Sequence, residues 1–145
     1  MSVPRAVLDT NIFLSALMFG GPPEALVRAA RSGRIQLITS PQILAELAMI
    51  LKKKFAWSDE DVVAAVIAVG RHADMVKPRQ RLGVLDDEPD NRILECAVDG
   101  KADYIVSGDH HLLRLKRFGR IVILGASELL ARPLSHGGGA RRRRP

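Results

Sequence analysis

Two carboxylates stand just after short apolar runs. Asp9 follows Val7-Leu8, and Asp109 follows Ile105-Val106 by way of Ser107-Gly108. If both runs are parallel strands in the middle of one sheet, Asp9 and Asp109 project from the same edge. An Asp after a strand also caps helices, so each residue alone has a purely structural alternative. Glu46 lies inside an apolar stripe between Ile43 and Ile50. A carboxylate on the core side of a helix is costly without a partner such as a metal or a base, whereas at the edge of the stripe it would reach solvent. Asp86-Asp87-Glu88-Pro89-Asp90 is a dense acidic turn. Helix dipoles and capping favour acids at a helix start, so much of this run can be structural. Asp90 would lie in the first turn of the helix, looking back at the sheet edge.

Gathered carboxylates repel one another, and divalent cations make such a cluster tolerable. Hard oxygen ligands suit magnesium or manganese, and such an ion can activate water and offset charge at a phosphorus centre. No thiolate or histidine set supports zinc. His110 and His111 are adjacent rather than at a ligand spacing.

The elements that must position these acids read as alternating strands and helices. Val3–Leu8 is a buried strand ending at Asp9. Asn11–Phe19 is a short helix stopped by Gly20-Gly21-Pro22-Pro23. Pro23–Ser32 is a helix with Leu26, Val27 and Ala30 on one face, and Ile35–Ile38 is a second strand. Ser40-Pro41 gives an N-cap and an N1 proline, and that helix runs to Lys54 with Ile43, Leu44, Leu47, Ile50 and Leu51 facing the core. Ser58 caps a helix over Asp59–Arg71. Asp74–Val76 is a third strand, and Lys77–Leu85 is a polar connection. Asp90–Val98 is a helix, Tyr104–Val106 a fourth strand, His110–Leu115 a short helix and Ile121–Leu124 a fifth strand. Ser127 caps a last helix through Ala131. This alternation implies an α/β fold with a parallel sheet covered on both faces, its site at the carboxyl ends of the strands.

Composition sets wider bounds. A chain of 145 residues fits one domain. Aromatics are only 4%, which points to an aliphatic core and away from base stacking as the main mode of nucleic-acid binding. Cys96 is the only cysteine, so no internal disulfide can form and a reducing cytoplasm suits the chain. No signal peptide or membrane span is visible, and a cytoplasmic location is expected. The net charge is +6, of which Arg141 to Arg144 supply four, leaving +2 for the rest. That balance permits a nucleic-acid partner without requiring one. The expected organisation is a domain over 1–134 and a disordered basic tail over 135–145.

Four segments together resemble the PIN-domain family. They are Val7-Leu8-Asp9-Thr10-Asn11-Ile12-Phe13-Leu14-Ser15, Ser40-Pro41-Gln42-Ile43-Leu44-Ala45-Glu46-Leu47, Asp87-Glu88-Pro89-Asp90-Asn91-Arg92-Ile93-Leu94-Glu95-Cys96-Ala97 and Ala102-Asp103-Tyr104-Ile105-Val106-Ser107-Gly108-Asp109. They occur in the family's order, and within the family the chain is most similar to the VapC-like toxin subunits of toxin–antitoxin pairs. The resemblance implies a three-layer sandwich with a central parallel five-stranded sheet flanked by helices. It also implies magnesium-dependent, or manganese-dependent, hydrolysis of RNA phosphodiester bonds. The family's four acids fall on Asp9, Glu46, Asp90 and Asp109. Asn11 and Ser107 match supporting polar positions, and Asp87 is a candidate outer acid. The family often has another acid two residues after the last; this chain has His111. A homodimer and a protein antitoxin are the partners the resemblance implies.

Two other functions compete. Asp9 could be the covalent nucleophile of a phosphatase, although such sites often want a second Asp two residues on and this chain has Asn11. A non-catalytic RNA-binding or regulatory protein could keep the fold, although all four acids are present. Lys52-Lys53-Lys54 and Lys77-Pro78-Arg79-Gln80-Arg81 could guide an RNA backbone, and lysines at a helix C-terminus are also favoured by the dipole. Cys96, Phe55 and Trp57 read as packing residues. Val62, Val63, Val66, Ile67 and Val69 make a wide apolar arc, fit either for a buried helix or for an interface.

Overall fold

A computed structural model of the chain describes residues 3–133. In chain order the elements are β1 (Arg5–Leu8), α1 (Thr10–Met18), α2 (Gly21–Arg31), β2 (Gln36–Thr39), α3 (Pro41–Phe55), α4 (Asp59–Arg71) and β3 (Ala73–Met75). They continue as α5 (Glu88–Asp99), β4 (Tyr104–Val106), α6 (His110–Leu113), β5 (Arg117–Phe118), β6 (Ile121–Leu124) and α7 (Ala126–Leu130). The tail expected over 135–145 lies outside the described residues. No helix among the described residues is long and apolar enough to cross a membrane.

The sheet order is β3-β2-β1-β4-β6-β5. Five strands are parallel, as the sequence implied; the sixth, β5, runs antiparallel to β6. This edge strand was not expected. Lys116 and Gly119 adopt positive φ on either side of it, making a tight return that exposes no apolar run to read. The other corrections concern element ends. α5 begins at Glu88 rather than Asp90, with Pro89 in its first turn. α7 begins at Ala126, where Gly125 takes the N-cap position and its N–H donates to Glu128 Oε1 at 3.0 Å, rather than being capped by Ser127.

Local chemistry explains the element boundaries. Ser40 Oγ accepts from Ile43 N–H at 3.2 Å, and Ser58 Oγ accepts from Asp61 N–H at 3.1 Å, so both expected N-caps form. Ala56 closes α3 in the left-handed region. Val7, Ile38, Ile105 and Val106 are fully buried in the central strands, and Leu47, Leu51, Leu94 and Leu129 cover them from the helices. Of the predicted α3 face, Ile43, Leu44, Leu47 and Leu51 are buried and Ile50 is half-buried. Cys96 is buried in the same core, and burial pushes its thiol up to about 12, far from a nucleophile's range. Trp57 packs against the core as a partly buried side chain, while Phe55 is exposed.

Gly100 marks the closest approach between α5 and the sheet. A Cβ there would meet Ile38 Cγ2 at 2.7 Å, the Cys96 carbonyl oxygen at 2.8 Å and Val76 Cγ2 at 3.1 Å. Its carbonyl also accepts from Arg5 Nε and an Arg5 terminal nitrogen, which ties the start of β1 to the end of α5. Gly100→Ala is therefore expected to destabilise the protein by about 1–3 kcal/mol. Urea unfolding checks this, and an unchanged midpoint would show that the backbone there relaxes freely.

Candidate active site

The register of β1 and β4 builds the centre of the site. Leu8 pairs with Val106, so the next residues, Asp9 and Ser107, leave the sheet side by side. Asp9 N–H donates to the Val106 carbonyl at 2.9 Å and keeps the two strand ends together. β1 connects onward toward β2 and β3 on one side, whereas β4 and β6 lie on the other. The gap between β1 and β4 is thus the topological switch point of the sheet, where crevices form in doubly wound folds.

Ser107 is fully buried, and its hydroxyl is a two-way link. It donates to Asp9 Oδ2 at 2.8 Å and accepts from Asp109 N–H at 2.9 Å. Asp9 and Asp109 also serve as N-caps, of α1 and α6 respectively, so the structural and functional readings of these acids coexist. Asn11 contributes its backbone N–H to Asp9 Oδ1 at 3.5 Å while its side chain is exposed.

The remaining acids arrive from helices on both sides. Glu46 is half-buried on α3, and its Oε1 accepts from the Thr10 hydroxyl at 2.6 Å. Asp90 sits in the first turn of α5 and is 5% exposed. Its Oδ2 is buried without a hydrogen-bond partner. Asp87 is the N-cap residue of α5, exposed, and its charge acts on Asp90. The structure therefore brings Asp9, Glu46, Asp90 and Asp109 close enough for their charges to act on one another, with Asp90 and Asp109 at ligand distance. Burial, and then the charges of Glu46 and Asp109, push the Asp9 carboxyl up against the lowering effect of Ser107 and Asn11. Burial first, then Asp87, Asp109 and Asp9, push Asp90 up to about 7. An orphaned carboxylate oxygen beside other carboxyl groups is an arrangement that a hard cation would complete.

Three contributors were not read from the sequence. Thr10 is a generic polar residue whose partner lies far along the chain. His111 was set aside for its adjacency to His110, yet one ligand atom each from Asp90, Asp109 and His111 lie within 4.8 Å of one another. Its Nδ1 is 3.2 Å from Asp109 Oδ1, and its backbone N–H donates to the same oxygen at 2.7 Å. The third is a polar face of α5. Asn91 holds Leu85 through both its N–H and its carbonyl, at 2.8 and 2.7 Å. Glu95 accepts from Leu82 N–H at 2.7 Å, and Asp99 accepts from Arg79 N–H. The four-residue spacing of these side chains on one helix face was the available signal. They clamp the connection that carries Arg79 and Arg81. The lysine run is otherwise placed: it closes the last turn of α3, and Lys52 pairs with Asp59 at 2.7 Å. A cavity of about 250 Å³ opens beside Glu46, lined also by Gln42, Ile43, Met49, Glu88 and Arg92.

Comparisons with known proteins agree with the fold. The family model of the PIN domain matches residues 5–111. The uncharacterized protein MJ1680 of Methanocaldococcus jannaschii is 28% identical over 117 residues, which cover 77% of this chain and 75% of that protein. Two solved structures share the fold at 16% identity and a TM-score of 0.59. One is VapBC2 from Rickettsia felis bound to a DNA fragment from their promoter, with 82% of this chain and 96% of that chain covered. The other is VapBC-1 from nontypeable Haemophilus influenzae, with 85% and 98% covered.

The raised Asp90 carboxyl has a consequence for stability. Its folded value, about 7, lies above the ordinary carboxylate value of 3.8. The folded state therefore binds more protons between these values, and stability is lost as pH rises through that window. In EDTA, wild type is expected to melt at lower temperature at pH 8 than at pH 5. Asp90→Asn should reduce that difference by about 5 °C. Equal pH sensitivity of the two proteins in calorimetry would show that Asp90 is not the strained acid.

Proposed function

The chain belongs to the PIN-domain family, and on that premise we propose that it is a metal-dependent endoribonuclease, the toxin component of a toxin–antitoxin pair. The observation that carries the reading is the convergence of four carboxylates at the sheet's switch point, with Asp90 Oδ2 buried and unpartnered. Asp9, Asp90 and Asp109 are the proposed holders of a divalent cation, magnesium or manganese, and Glu46 completes the set. Bound there, the cation supplies Lewis acidity: it acidifies water and offsets the charge that develops at phosphorus.

The protein's own residues keep the acids in place. Ser107 holds Asp9 Oδ2 and the Asp109 backbone in one fixed relation. Thr10, the residue after Asp9, holds Glu46 Oε1. Burial and the neighbouring acids raise the Asp90 carboxyl to about 7, and a cation held there would favour its ionised form. Arg79 and Arg81, exposed on the clamped connection, offer phosphate contacts to a polyanion. Hydrolysis by water in line with the departing 3′ oxygen would leave a 5′-phosphate and a 3′-hydroxyl.

Assembly belongs to the same reading. α4 buries Val62 and Ala65 but leaves Val63 55% and Ile67 51% exposed, so its apolar arc is only half used. An apolar groove of about 260 Å³ lies among α1, α2 and α4, lined by Phe13, Leu17, Val27 and Val69. These surfaces suit a second copy of the chain and a small antitoxin, and a basic side chain of the antitoxin could offset the same carboxylates. The VapBC complexes share the fold that this reading assumes.

RNA cleavage is expected to stop in EDTA and return with magnesium or manganese. Asp9→Asn and Asp109→Asn should each lower the rate at least about 100-fold, and Ser107→Ala, which keeps every carboxylate, about 10–100-fold. Gel assays on labelled RNA check all three. Full cleavage in EDTA would end the metal reading, and RNA bound but uncut with every cation would favour the non-catalytic one. Light scattering is expected to find a dimer that Ile67→Glu weakens; a monomeric wild type at tens of micromolar would remove the assembly reading.

A further inference from the structure

We propose that His111 supplies a nitrogen ligand to the cation held by Asp90 and Asp109, so that the site takes manganese(II) in preference to magnesium. The inference deepens the metal reading above and rests on it. It begins with geometry: a ligand atom from each of the three side chains lies within 4.8 Å of the other two. The second observation is independent. Asp90 is 5% exposed, its Oδ2 has no partner, and burial of an unsatisfied acceptor is costly. A cation between these groups removes that cost.

The imidazole is held where it can take part. Asp109 Oδ1 accepts the His111 backbone N–H at 2.7 Å and faces ring Nδ1 at 3.2 Å. Backbone and ring thus converge on one carboxylate oxygen, which limits where the ring can lie. The side chain is 65% exposed, so an ion can reach it directly from solvent. His110, its neighbour in sequence, is exposed and does not belong to the group of three. Ligation uses the lone pair of one ring nitrogen while the other keeps its proton.

Donor chemistry then sets the preference. Magnesium demands near-ideal octahedral oxygen coordination and dehydrates reluctantly. Magnesium is bound by oxygen ligands, whereas imidazole nitrogen is a ligand for first-row transition ions, and of these manganese also accepts carboxylate oxygen as magnesium does. The carboxylates of Asp90 and Asp109 alone would suit either ion; the nitrogen beside them tips the choice.

Pulsed electron paramagnetic resonance on the manganese-loaded full chain tests the ligand directly. Wild type is expected to show nitrogen modulation of the imidazole type. His111→Asp should abolish it, and His110→Ala should retain it. Calorimetry should show tighter binding of manganese than of magnesium in wild type, and His111→Asp should reduce that ratio on the order of tenfold. Manganese bound without nitrogen modulation, with binding lost in Asp90→Asn, would overturn the role of His111 and leave the metal centre standing. Failure of wild type to bind manganese or magnesium at all would overturn both. Modulation that survives in His111→Asp would overturn the assignment of the ligand.

Discussion

The Ser107 hydroxyl is the interaction on which the rest of the site depends. It is buried at the end of a central strand, and its only proton goes to Asp9. Its lone pair receives the Asp109 amide. One atom therefore sets the distance between the acid that follows β1 and the acid that follows β4. It can do so because the β1–β4 register delivers Asp9 and Ser107 to the same level of the sheet. A slip of one residue would turn every side chain of that strand to the other face and dismantle the contact. The aliphatic pattern of the strands, which forbids such a slip, is thus also what aligns the acids.

Charge is the opposing constraint. Asp9 and Asp90 are nearly dry, and each is raised by burial before any neighbour acts on it. Hydrogen bonds from Ser107 and Asn11 relieve Asp9, but Asp90 Oδ2 has no such relief. A protein selected for stability alone would not keep an orphaned acceptor at the edge of a well-packed core. Thr39 Oγ1 and Arg92 Nε are also buried without a partner, but among the described residues Asp90 Oδ2 is the orphaned carboxylate oxygen, and it lies beside other acids at the sheet's switch point. That coincidence is the physical ground for reading the cluster as a site rather than as a set of helix caps.

Much of this was legible in the chain. The five parallel strands and their order of helices followed from apolar runs alternating with capped amphipathic segments. Asp9 and Asp109 stood out because each ends such a run, and Glu46 because a charge interrupts an apolar stripe. Elements without a periodic signal stayed hidden. β5 is two residues long and is defined by two left-handed turns rather than by hydrophobicity. Thr10 acquires meaning only once α3 brings Glu46 to it. His111 stood where the resembled family often has another acid, but its pairing with a second histidine gave no ligand spacing, and its partners arrive through the capping of α6 by Asp109.

α5 shows how one helix serves two purposes at once. Its first turn presents Asp90 to the cleft, while Asn91, Glu95 and Asp99 descend another face and hold the connection before it. Glu95 is buried, which is tolerable because Arg92 and the Leu82 amide both meet it, at 2.7 Å each. A segment with little apolar content is thereby fixed by directional bonds rather than by packing. The consequence is geometric. Arg79 and Arg81 ride on a segment anchored farther along the same helix that places Asp90, so a shift of α5 moves the acid and this segment together. The relation between the Asp90 carboxylate and this connection is therefore built into one secondary-structure element, not left to the freedom of a loop.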